Sequence, residues 1–100
     1  MKKITISQIK DVEEILAWGD ELMRRDSEVQ ETLEKENINE ECAYIFNIAG
    51  TNYLLVIMDS SGEINPSDIE LPVNAQHRDI FNRNQIQFYP LKKAYELRRK

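Results

Sequence analysis

The sequence is short of the residues that staple, bend or interrupt a chain. Cys42 is the only cysteine, so no internal disulfide can form, and the expected compartment is the cytoplasm. Three glycines and three prolines leave little material for linkers, so residues 1–100 read as a single domain. No run approaches the ~20 apolar residues that span a bilayer. The start, Met1-Lys2-Lys3-Ile4, passes directly into a strand-like pattern with no apolar signal core. Basic charge is also scarce: 13 Lys and Arg stand against 18 Asp and Glu, a net charge of −5 that repels phosphate backbones and argues against nucleic acid as a partner. The short basic run Arg98-Arg99-Lys100, with Lys92 and Lys93 before it, reads as solvated tail.

What is present is periodic apolar residues at a content suited to a folded domain, 41% apolar and 31% charged. Lys3 to Ser7 alternates, with Ile4 and Ile6 on one side, predicting a strand with one covered face. Asp11 with Glu14 resembles a capping box. Val12, Ile15, Leu16, Leu22, Met23, Val29 and Leu33 then follow helical spacing, predicting one long amphipathic helix over roughly 12–35 with a possible break at Asp26-Ser27. Gly19 on that stripe offers room for another element to approach.

The runs Cys42–Ala49 and Tyr53–Met58, around Gly50-Thr51-Asn52, predict a β-hairpin. Tyr53-Leu54-Leu55-Val56-Ile57-Met58 has no polar alternation. A strand sends successive side chains to opposite faces, so this one needs cover on both. Residues 59–74 read as loop, with a helical turn at Asn65-Pro66-Ser67-Asp68. Asn74 is the expected cap of a second helix carrying Ile80, Phe81 and Ala75, and the alternation from Leu91 to Arg98 predicts a final strand.

The order β-α-β-β-α-β predicts an α+β fold of the ferredoxin-like kind, an antiparallel sheet with its helices on one face. The second apolar face of the hairpin then asks for a partner sheet, which makes a homodimer the expected assembly.

The segment Arg24 to Glu36, followed by Glu41, the Tyr53-Leu54 strand and His77-x-x-x-Phe81, resembles a bacterial family that carries only a domain-of-unknown-function label. That family is similar to the dimeric α+β barrels, which set two ferredoxin-like sheets face to face. The resemblance spans most of residues 2–97 and implies a fold and a dimer, but no activity. The chain departs from it between Ser60 and Pro72, where a regular helix is replaced by loop-like sequence.

For chemistry the candidates are few. His77 is the sole histidine and the natural acid/base group, and Glu41 is its candidate carboxylate partner. Trp18, Tyr44 and Tyr53 are candidates to line a small-ligand pocket, with Asp59 at its edge. One His and one Cys do not make a metal site, and no dinucleotide or phosphate-binding glycine motif is present, so neither metal nor cofactor is expected. Cys42, flanked by Glu40 and Glu41, reads as a small core residue. Two functions fit: a small-ligand binding protein or cofactor-free enzyme, and a non-catalytic interaction module.

Overall fold

A computed structural model describes residues 1–64 and 72–100. The elements run β1 (Lys2–Gln8), α1 (Val12–Arg24), α2 (Asp26–Glu36), β2 (Ile38–Ile48), β3 (Thr51–Ser60), α3 (Pro72–Arg83) and β4 (Tyr89–Pro90). The strands form one antiparallel sheet in the order β2-β3-β1-β4. Among the described residues no helix is long and apolar enough to cross a membrane.

Local sequence explains most boundaries. Asp11 caps α1, its Oδ1 accepting from the Glu14 amide at 3.0 Å. Glu14 does not close the box by reaching back; its carboxylate turns to Arg83 and Asn84 of the α3 end. The expected long helix is broken at Arg25, whose φ of −103° and ψ of 43° leave the helical region. Ser27 does not cap the second segment, which begins at Asp26 without a side-chain cap. Arg25 is instead held sideways by Glu28 and by Gln76 of α3, so the bend follows a tertiary contact. Asn37, at φ 63°, ends α2 in the left-handed conformation that Asn tolerates. The hairpin turns on Ala49-Gly50, both at positive φ, the two-residue type that matches strand twist. Asn47 secures it by accepting from the Gly50 amide.

The register shows which faces are covered. Leu54 and Val56 of β3 pack with Ile15 and Trp18 of α1 and with Val73 and Ile80 of α3. Leu54 is 1% exposed and lies at the centre of this core. Pairing puts Ser7 and Thr5 of β1 opposite these two residues, on the helix side. Ile4 and Ile6 therefore lie on the other face, away from the helices. The buried Ser7 hydroxyl is satisfied there by Gln8 and Gln87. Tyr53, Leu55 and Ile57 of β3 and Cys42, Tyr44, Phe46 and Ile48 of β2 share the outer face with Ile4 and Ile6. No helix of the described residues packs on that face. Phe46 and Tyr53 stack across it with ring centroids 5.4 Å apart, and Tyr44 is 57% exposed. Cys42 is accordingly half-buried on the open face and is not part of the helix-side core.

Three further expectations change. α3 begins at Pro72, where a missing N–H costs nothing. Asn74 is thus internal to the helix and accepts from Thr32 Oγ1. Residues 91–98 form no strand: β4 is two residues long, and the chain from Leu91 onward is exposed. Antiparallel continuation from the Thr5–Pro90 pair would set Lys92 opposite Lys3 and Lys93 opposite Lys2, and like charges directly opposed destabilise a ladder. The turn expected at residues 65–68 lies outside the described residues.

Candidate functional site

Between the helix layer and the sheet are two adjoining cavities of about 380 and 220 Å³. The larger has apolar walls from Ile15, Trp18, Leu54, Val56, Met58 and Phe81; the smaller runs toward α2, past Val29, Leu33 and Glu36. Leu22, Glu41, His77 and Arg78 line both. Gly19 also borders the larger one, and nothing lies within 4 Å of where its Cβ would be, so it leaves space there and admits no close neighbour.

His77 is placed by α3 between Trp18 and Phe81. Trp18 Nε1 donates to His77 Nδ1 at 2.8 Å. Phe81, one helical turn on, packs against the imidazole at a centroid separation of 3.9 Å. An indole can only donate, so Nδ1 must be an acceptor and the proton of neutral His77 sits on Nε2. Burial also disfavours the imidazolium and pushes the His77 pKa down to about 4. Glu41 reaches solvent at the cavity rim but is crowded by the surrounding concavity. That crowding, and secondarily the charge of Glu36, raises its carboxyl above the usual range; burial raises Glu36 as well.

A pH test follows. An unfolded imidazole titrates near ~6.5, above the folded value, so between the two the unfolded chain binds the extra proton. The His77 contribution is fully present above that unfolded value and is lost as pH falls toward 4, by roughly 2–3 kcal/mol. Glu36 and Glu41, raised rather than lowered, act in the opposite sense and offset part of the loss. Because His77 is the only histidine, its NMR titration is unambiguous. A midpoint near 4 with the Nε2–H tautomer is expected, and Trp18→Phe should raise that midpoint. A wild-type midpoint above 6 would contradict the geometry.

The other sequence candidates lie elsewhere. Tyr44 and Tyr53 are on the opposite face of the sheet from Trp18; Tyr53 borders a separate cleft of about 380 Å³ with Gln85, Gln87 and Tyr89. Asp59 sits at the far end of β3, 3.3 Å from the Met1 amino group. The pocket aromatics that residue type alone did not single out are Phe81 and Phe88, with ring centroids 5.5 Å apart; the position of Phe81 four residues after His77 was the available signal. No group of three or more metal-ligating side chains converges among the described residues.

The chain matches no family model, no curated protein and no solved structure.

Proposed function

We propose that this protein binds a small molecule with an apolar body and a hydrogen-bond-accepting oxygen in the cavity between helices and sheet, and that it does so as a homodimer. The observation that carries the reading is the convergence of His77 and Glu41, far apart in sequence, on the same apolar cavity, with Trp18 holding the histidine. A neutral Nε2–H suits a carbonyl-like oxygen. A carboxyl of raised pKa at the rim suits proton exchange, which would make cofactor-free acid/base chemistry feasible. The frame we infer is ferredoxin-like: β3 inserted between β1 and β2 makes a split β-α-β unit, although the broken first helix and the two-residue β4 depart from a regular version. The dimer reading rests on the outer sheet face, whose isoleucines, Leu55 and aromatic residues are far more apolar than a solvated face requires. The lone free Cys42 supports a cytoplasmic setting.

The test uses the sole tryptophan and sole histidine as reporters. Titration with small aromatic ketones such as acetophenone should shift the Trp18 Nε1–H and His77 ring resonances together and saturably. His77→Asn should weaken binding at least tenfold. Probes that move only residues of the outer face, or bind His77→Asn equally well, would defeat the proposal and leave an interaction module as the better account.

A further inference from the structure

The segment after β4 combines features that a merely solvated tail does not need. Leu91, Tyr95 and Leu97 are exposed, the last two at 77% and 87%, yet they fall on one side of a strict strand alternation. The segment is also the basic part of an acidic protein. Residues 91–100 hold five of the thirteen Lys and Arg and a single acid, while residues 1–90 hold eight bases against seventeen acids. Glu96 engages Lys93 and Arg98 within the tail; Lys92, Arg99 and Lys100 have no ion pair among the described residues. The radius of gyration, 14.6 Å, exceeds the roughly 13 Å expected of a compact chain this long, as a projecting segment would make it.

A complementary surface exists at the other end of the sheet. Among the described residues β2 is an edge strand of 11 residues that pairs on one side only, with β3, so half of its backbone groups have no strand partner among them and could take a further strand. Its start carries Glu40 and Glu41, and the neighbouring α2 adds Glu31, Glu34 and Glu36. Continued pairing of the tail with its own nearest edge would set Lys92 and Lys93 against Lys3 and Lys2. Beyond the Leu91 amide, which donates to the Ile4 carbonyl, no ladder forms there, although Glu96 feels the charge of Lys2. The tail leaves the sheet at β4, four strand spacings from the free side of β2, or about 19 Å at ~4.8 Å each. At ~3.3 Å per residue, crossing that distance in one chain would consume about six residues before any pairing began.

We propose that residues 91–97 pair with the free edge of β2 in a second copy of this chain, so that the dimer exchanges basic tail strands onto acidic edges. This rests on the dimer reading and adds to it a specific swapped element. Each tail would extend its partner's sheet at the rim of the cavity where Glu41 lies.

The test mixes equal amounts of natural-abundance and ¹⁵N-labelled full-length protein, lets dimers exchange, and applies a zero-length carbodiimide cross-linker. Lys92 or Lys100 should be joined to Glu34, Glu36 or Glu40 in mixed-isotope products, and those amides of β2 that point away from β3 should be slow to exchange with deuterium. The triple variant Lys92→Glu, Arg99→Glu, Lys100→Glu should lose that protection and raise the dimer dissociation constant at least tenfold at low salt, less at high salt. A dimer whose tail cross-links stay within one chain, or whose β2 protection survives the variant, overturns strand exchange but not dimerisation. Sedimentation as a monomer at micromolar concentration overturns both.

Discussion

Leu55→Lys is expected to convert the proposed dimer to a monomer at micromolar concentration while the individual chain stays folded. Leu55 occupies the middle of β3 on the outer face, paired with Ile6 on one side and Tyr44 on the other. In the isolated chain it is only half-buried, and a lysine there can carry its ammonium into water along its own stem. A face-to-face dimer removes that escape. A two-fold axis buries the substituted position twice, so two ammonium groups lose water beside Ile6 and Tyr44, neither of which is acidic. The cost is several kcal/mol per ion, enough to weaken association by more than a thousandfold. Sedimentation equilibrium measures the change, and circular dichroism checks that the monomer retains its helices and sheet. A Leu55→Lys protein that remains as dimeric as the parent would show that the outer sheet face is not the interface.

The second large effect is expected at a residue that carries no chemistry. Asn84 is 2% exposed just beyond the end of α3. Its Oδ1 accepts from the Asp11 amide at 2.8 Å, and its Nδ2 donates to Glu14 Oε1 at 2.8 Å and to the Ile80 carbonyl at 3.0 Å. One side chain thus joins the start of α1 to the end of α3, the two helices that roof the cavity. Asn84→Ala removes these bonds together and leaves the Asp11 N–H and the Ile80 carbonyl without their side-chain partner in a place water reaches poorly. Stability should fall by about 2–4 kcal/mol, or roughly 10–20 °C in Tm for a chain of this size. Asn84→Asp keeps the shape but puts a carboxylate beside Glu14 and the Ile80 carbonyl, so at neutral pH it should cost at least as much. Chemical denaturation monitored by Trp18 fluorescence gives both values, and a loss under 0.5 kcal/mol for Asn84→Ala would remove Asn84 from this role.

Some of this was legible in the residues because it depends on neighbours in the chain. The Asp11 cap, the hairpin around Gly50 and most of the helical stripe, with Val12, Ile15, Leu22 and Val29 turned to the core, are local patterns and are present. Leu16 and Met23 of that stripe are exposed, whereas Trp18, which lay outside it, is buried. The unbroken apolar run from Tyr53 to Met58 announced two apolar faces for the same local reason: a strand cannot turn successive side chains the same way. The choice of His77 and Glu41 came from scarcity and chemistry, and the fold places both on one cavity.

Other outcomes depended on register and packing, which a single strand's pattern does not contain. Alternation in β1 says that Ile4 and Ile6 share a face, but only pairing with Ile57 and Leu55 puts that face away from the helices. The same pairing parity separates Tyr44 and Tyr53 from Trp18, because an odd or even position in β2 and β3 decides the side of the sheet. Arg25 breaks an otherwise continuous helical pattern through contacts that include Gln76, far along the chain. Nothing among its chain neighbours marks Asn84; its role comes from the start of α1, which the fold brings against it. The alternating residues after Pro90 have strand chemistry, but the edge beside them is lined with lysine. By itself, then, the sequence determined most of the elements, though neither the break at Arg25 nor the loss of a strand after Pro90, and the two-sided apolar character of the hairpin, because both follow from covalent neighbours and side-chain periodicity. The tertiary structure alone decided which face the helices cover, which aromatics meet His77 and where the last strand stops, because each is settled by a partner distant in the chain.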